Sequence, residues 1–160
     1  KQNPAKLNIK DEPIKAFAKI FNSSSTFISR GDDSGTHFKE MNIWKEAKLN
    51  PLKFSGNWYR ETGSGMGTTL NLASGMGAYT LSDRASWINF NNKTDLNIKV
   101  EKHKTLFNQY GVTMVNPSRC PNVRYKNAEK FINWLLSKTG QKAIQSFKLK
   151  NQQLFFPNAD

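Results

Sequence analysis

Thr26-Phe27-Ile28-Ser29-Arg30-Gly31-Asp32-Asp33-Ser34-Gly35-Thr36 is the stretch whose reading decides the fold. Its first four residues form a short β-rich run, and the rest is a polar, Gly- and Ser-rich cluster. Beyond the cluster, Phe38, Met41, Trp44 and Ala47 recur at three- and four-residue steps as far as Lys48, and Pro51 stops the pattern. Apolar residues at that period predict an amphipathic helix, so the cluster is placed between a strand and a helix N-terminus.

Further helices and strands are predicted on either side, with the same design recurring more weakly after it. Pro13 behind Asp11 and Glu12, with Ile14, Phe17, Ala18 and Phe21 at helical spacing, predicts a helix over residues 13–22. Trp58 to Glu61 reads as a short strand or turn, and Gly63-Ser64-Gly65-Met66-Gly67 opens into a helix over Thr68 to Ser74, closed by Gly75. Ala78 to Leu81 reads as a buried strand, Ser82-Asp83 as a cap, and Ala85 to Phe90 as a short helix. Two more strands are expected at Leu96 to Val100 and Gly111 to Val115, then helices over Asn127 to Ser137 and Gln141 to Phe147. Strands alternating with helices in this order indicate an α/β domain with a mixed sheet.

The chain has 160 residues, enough to bury a core without a disulfide or metal staple. Cys120 is its one cysteine, and with His37 and His103 it offers no zinc spacing, so no metal or cofactor is expected. No apolar run approaches the ~20 residues that span a bilayer, and Lys1 to Lys10 lack a signal-peptide apolar region, so a soluble chain is expected. Lys plus Arg number 24 against 12 Asp plus Glu, a formal charge of +12, which attracts anions in general. The 19 Lys are matched by 18 Asn and spread along the chain without a dense run, which reads as compositional bias and disfavours a nucleic-acid-binding module. Trp44, Trp58, Trp87 and Trp134 are mostly at core-like spacing, so stacking on bases is the lesser reading.

A strand running into such a turn and then into a helix gathers unpaired backbone N–H groups and the positive end of the helix dipole around one point, which suits an anion. Arg30 adds a guanidinium fork, and Ser29, Ser34 and Thr36 add hydroxyls, while Gly31 and Gly35 admit close approach of an oxygen. The plainer alternative is a capped helix, with Asp33 or Ser34 as N-cap and Arg30 paired to Asp32. The second turn has two readings as well: further N–H donors at Gly65, Met66 and Gly67, or a tight turn that lets helices pack closely. His37 reads as a solvated helix-surface residue. Asp32, Asp33 and Ser34 lack the carboxylate–His partners of a catalytic constellation, so no enzyme is expected.

Ser29-Arg30-Gly31-Asp32-Asp33-Ser34-Gly35-Thr36-His37, with Lys39-Glu40 and Trp44-Lys45-Glu46-Ala47, resembles the motif of the tungstate-binding periplasmic proteins of the TupA type, the substrate-binding components of ABC importers. The resemblance continues through Glu61 to Leu70, Ala78 to Arg84 and Val115-Asn116-Pro117. It extends to Phe131-Ile132-Asn133-Trp134-Leu135, Gly140-Gln141 and Leu154-Phe155-Phe156-Pro157. A phosphate-binding family of the same superfamily has a similar turn, matched by Arg30, Asp32, Ser34, Gly35 and Thr36.

The resemblance implies a type II periplasmic-binding-protein fold, two α/β lobes closing on a tetrahedral oxyanion, with tungstate or molybdate first and phosphate or sulfate as the alternative. It implies ligand-binding roles for Ser29, Arg30, Asp32, Ser34, Gly35, Thr36, Gly65, Met66 and Gly67, a membrane permease as partner and a periplasmic or extracytoplasmic location. Nothing resembling the family's Thr/Ser-rich turn of the first lobe is found. Residues 1–116 are therefore expected to be the second, anion-binding lobe and 117–160 a C-terminal helical return, with the first part of the first lobe missing or supplied by another chain. Asp32 bears on the anion: facing it, the carboxylate suits a protonated oxyanion, and turned onto Arg30 it leaves tungstate, molybdate or sulfate admissible.

Overall fold

The computed structural model describes residues 3–159 and divides the chain into two compact units, Lys1–Phe107 and Asn108–Asp160. The division falls before Asn116, where the sequence reading ends the first segment.

The first unit opens with α1, Pro13–Asn22, whose Pro sits at the first helical position and which buries Pro13, Ala16, Phe17 and Ile20. Strand β1, Phe27–Ser29, is buried along its whole length and leads through the polar turn into α2, Gly35–Glu46. After a 3-10 turn over Pro51–Phe54 come β2, Tyr59–Glu61, and α3, Met66–Met76. Helix α3 ends at Gly77, not Gly75, because Gly77 is the residue that takes the left-handed conformation (φ 59°) needed to turn the chain out of the helix. Then follow β3, Tyr79–Thr80, and α4, Arg84–Asn89, the latter capped by Asp83, whose carboxylate accepts from the Ser86 N–H at 2.9 Å.

The three strands make one sheet in the order β2-β1-β3. Both ladders are parallel, with Phe27 opposite Tyr59 and Tyr79 and Ile28 opposite Arg60 and Thr80. The expected α/β layering is present, but the mixed pairing is not in this sheet, since its strands all follow crossover helices and so run the same way. Side chains alternate across β1: Phe27 belongs to one core with α1 and α2, and Ile28 to another with Ala73 and Ala78. Trp44 is the centre of the first core. Its ring lies 4.5 Å from Phe17, 5.5 Å from Phe27, 6.3 Å from Trp58 and 6.4 Å from Tyr59. Edge-on and tilted pairs of this kind add about 0.5–1.5 kcal/mol each beyond simple burial.

Two expected strands are absent among the described residues. Leu96 to Val100 has no ladder; instead Leu96 packs, partly buried, on the Ile28 core and Val100 on the Trp44 core. Gly111 to Val115 is exposed along its length and forms no ladder within its unit.

The second unit holds α5, Tyr125–Leu136, α6, Lys138–Ser146, and a two-stranded antiparallel hairpin of β4, Lys148–Leu149, and β5, Gln152–Gln153. Ser137 joins the helices: its N–H donates to the Trp134 carbonyl and its hydroxyl accepts from the Gly140 N–H at 3.2 Å. A Cβ at Gly140 would collide with the Trp134 carbonyl, which fixes glycine at this corner. No residue of α5 is buried, and Trp134 is 45 % exposed, against the core-like reading of its spacing. No helix among the described residues is long and apolar enough to cross a membrane.

Candidate functional site at the strand-to-helix turns

Parallel β1 and β2 end at the same edge of the sheet, and each feeds a helix through a polar turn. The two turns are tied together at Arg30, whose carbonyl accepts from the Thr62 hydroxyl at 3.1 Å and from the Ser64 N–H at 3.3 Å. The Ser29 carbonyl in turn accepts from the Thr62 N–H at 3.0 Å, and the Thr62 and Thr69 hydroxyls are 3.1 Å apart. The N-termini of α2 and α3 thus belong to one hydrogen-bonded assembly. In open α/β sheets the carboxyl ends of the strands are where ligands bind.

Gly31 needs to be glycine twice over: its φ is +58°, and a Cβ there would come within 2.8 Å of the Glu61 Cβ. Gly35, Gly65 and Gly67 are different, because a Cβ on any of them would meet nothing within 4 Å. Of the two readings of the second turn, close helix packing therefore has no support, and the helix N-termini present open backbone. The N–H groups of Gly35 and Thr36 lead α2, and those of Met66 and Gly67 lead α3, so none has an intrahelical partner.

Ser34 is the N-cap of α2, and its hydroxyl accepts from the His37 N–H at 3.3 Å. Arg30 Nη2 is 2.5 Å from Asp32 Oδ2, and Asp32 Oδ1 accepts from the Ser34 N–H at 3.3 Å. Hydrogen bonding from Ser34, and then from Arg30, holds the Asp32 carboxyl below its usual range. Both features of the plainer reading, the cap and the ion pair, are present. They leave one thing over: Arg30 Nε is a buried donor with no hydrogen-bond partner.

Each residue singled out from the sequence has a definite place. Arg30, Asp32, Ser34, Gly35 and Thr36 line the first turn, and Gly65, Met66 and Gly67 the second; the Met66 side chain points into the core, 6 % exposed, which leaves its N–H for the surface. Ser29 does not reach the surface. It is fully buried and its hydroxyl donates to Glu40 Oε2 at 2.7 Å.

Two residues have places that the sequence did not assign them. Glu40 is 2 % exposed and also accepts from Trp44 Nε1 at 3.0 Å and Tyr59 OH at 2.8 Å. Burial pushes its carboxyl up, while the three donors pull the other way, and burial together with Glu40 pushes the Tyr59 hydroxyl up. Its place on the stripe of Trp44 and Ala47 was the available signal. His37 is folded against the turn and not solvated: its Nδ1 accepts from the Asp33 N–H at 3.0 Å, and its Nε2 is buried without a partner. No group of three or more His, Cys, Asp or Glu residues able to hold a metal ion occurs among the described residues.

A family model described as a PBP superfamily domain matches residues 1–139. The chain belongs to the PBP superfamily. Within it, the similarity is to proteins of the TupA type. The tungstate-binding protein TupA of Peptoclostridium acidaminophilum is 40% identical over 161 residues, covering 98% of this chain and 55% of that protein. TupA of Campylobacter jejuni is 40% identical over 144 residues, covering 88% and 53%. The structure of the tungstate-binding protein TupA from Desulfovibrio alaskensis G20 superposes with a TM-score of 0.81 at 42% identity, covering 99% of this chain and 64% of that one. This PBP-superfamily chain therefore spans about half the length of the curated relatives it matches.

Proposed function

We propose that the first unit is the anion-binding lobe of a receptor for a tetrahedral oxyanion, tungstate or molybdate first, that delivers its ligand to the membrane permease of an ABC importer. The observation that carries this reading is Arg30: its Nη2 is engaged by Asp32 while its Nε–H, at the same turn as the leading N–H groups of α2, has no partner. A buried donor left unpaired costs about 1–3 kcal/mol, which an anion acceptor would recover. The names of the TupA relatives support the choice of anion.

Asp32 supports it as well. Both of its oxygens take bonds from within the turn, so the carboxylate is committed to Arg30 and Ser34, the geometry that admits a fully deprotonated oxyanion. A fully deprotonated dianion needs donors alone, whereas hydrogenphosphate carries an O–H that needs an acceptor. Sulfate shares the favoured chemistry and phosphate is the poorer fit. The role is binding and release, not catalysis, and its setting is periplasmic or extracytoplasmic.

The ligand roles fall to Arg30, Ser34, Gly35, Thr36, Gly65, Met66 and Gly67, with Ser29 and Asp32 acting from behind. A second wall comes from a first-lobe segment or another chain, because donors on one side leave the anion solvated on the other. Isothermal calorimetry of tungstate, molybdate, sulfate and phosphate against the chain joined to such a first-lobe segment tests the reading. Heat from tungstate or molybdate that disappears in Arg30→Ala is expected; no binding to any of the four overturns it.

A further inference from the structure

A carboxylate lies buried directly beneath the anion turn, where a negative charge works against an anion and costs stability relative to an apolar side chain of the same size. Glu40 is held there by three donors, of which Trp44 and Tyr59 belong to the core and Ser29 to the turn. The Ser29 hydroxyl also accepts from the Gly31 N–H at 3.2 Å. A relay thus runs from the Gly31 N–H to Ser29 Oγ and on to Glu40. On its far side Gly31 is closed off by Glu61, and the carbonyl between them, that of Arg30, is held by Thr62 and Ser64. Arg30 is gripped through both flanking residues and through its own carbonyl, while its side chain is held by Asp32.

We propose that Glu40 is the positioning residue of the anion turn: by taking the Ser29 hydroxyl it directs that oxygen's lone pair to the Gly31 N–H and so fixes the backbone from which Arg30 and the α2 N-terminus reach the anion. This rests on the oxyanion reading above. The geometry accounts for three things together: a carboxylate in the core, a serine at the turn whose hydroxyl faces inward, and a glycine at φ +58° held on both sides. An amide at position 40 keeps the volume and an acceptor for Trp44 and Tyr59, but turns a donor toward Ser29 and reverses its hydroxyl. An alanine at position 29 removes the relay outright.

The test is heteronuclear NMR on the chain and on Ser29→Ala, Glu40→Gln and the double variant, titrated with sodium molybdate at constant ionic strength. Gly31 amide exchange reports the clamp, and the Gly35 and Thr36 amide shifts report the anion. Both single variants are expected to speed Gly31 exchange and to weaken molybdate by at least about threefold, the value of one ordinary hydrogen bond. The double variant should be no weaker than Ser29→Ala, because Glu40 acts through Ser29. If Glu40→Gln does not fold, Ser29→Ala carries the test. Molybdate-dependent shifts in the wild type with unchanged affinity and Gly31 exchange in the folded variants, or losses that add in the double variant, overturn the positioning role and leave the oxyanion reading standing. No molybdate-dependent shift in the wild type overturns both.

Discussion

Arg30 and Asp32 form an ion pair across a single intervening residue, Nη2 to Oδ2 at 2.5 Å, with the side chains of both 19 % exposed. The pair holds the guanidinium by one nitrogen, Nη2, and leaves the buried Nε without a partner. On the oxyanion reading, an acid beside the site is thereby an orienting group and not a repulsive one.

Replacing Arg30 with Ala removes one to two charge-assisted hydrogen bonds to the anion, each worth about 1.5–3 kcal/mol, so affinity should fall at least about tenfold. Calorimetry on the two-lobed receptor measures it. The variant also takes the Arg30 bond from Asp32, whose lowered carboxyl range should move part of the way back toward the ordinary one while the Ser34 bond still holds it down.

The glycines of the first turn should separate folding from binding. Gly31→Ala places a Cβ at a left-handed φ and against Glu61, and is expected to cost more than about 1 kcal/mol of stability. Gly35→Ala meets open space and leaves the melting temperature nearly unchanged, yet its methyl stands where the anion approaches, so oxyanion affinity falls. Thermal denaturation and calorimetry on both variants would show the contrast, and equal melting losses would contradict it.

The order of elements in the first unit was legible in the sequence because its signals are local: Pro13 starts α1 where expected, Ser34 caps α2, and Pro51 stops the apolar repeat. The candidate turn was legible for the same reason. What was not legible depends on distant partners. Leu96 to Val100 has strand-like residues, but Leu96 and Val100 pack on two different cores, and the burial of Glu40 depends on Tyr59 and Ser29, nineteen and eleven residues away. The inward turn of the Ser29 hydroxyl follows from that same contact. A local reading counts Ser29 as a ligand, since nothing nearby in sequence shows that its proton is already committed.

Glu40 should leave a mark on the pH dependence of stability. Its folded carboxyl lies above the ordinary value of 4.5, so its contribution is fully present below that pH and is lost as pH rises through the folded value. Glu40→Gln cannot ionise. The melting temperature of the wild type relative to Glu40→Gln should therefore decline from about pH 4.5 upward. A constant difference across that range would mean that Glu40 is no harder to ionise in the fold than in the open chain.

Asp11 and Asp32 act in the opposite sense. Lys19, at 2.7 Å, lowers the Asp11 carboxyl, and the Ser34 and Arg30 bonds lower that of Asp32. Groups depressed in the fold stabilise it above their ordinary range near 3.8, and lose that contribution as pH falls through the folded values. Asp11→Asn should flatten the acid limb of the stability curve below about pH 4, measured by urea unfolding at stepped pH.

The most direct test of the oxyanion reading is a tungstate titration of the 160-residue chain followed through the Gly35 and Thr36 amides, with sedimentation to establish its association state. With one wall of donors, the account predicts saturable shifts with a dissociation constant in the millimolar range, abolished by Arg30→Ala, and affinity that rises steeply when the first-lobe segment is joined. A clean monomer that binds tungstate at micromolar or tighter, or one whose shifts survive Arg30→Ala, would contradict it.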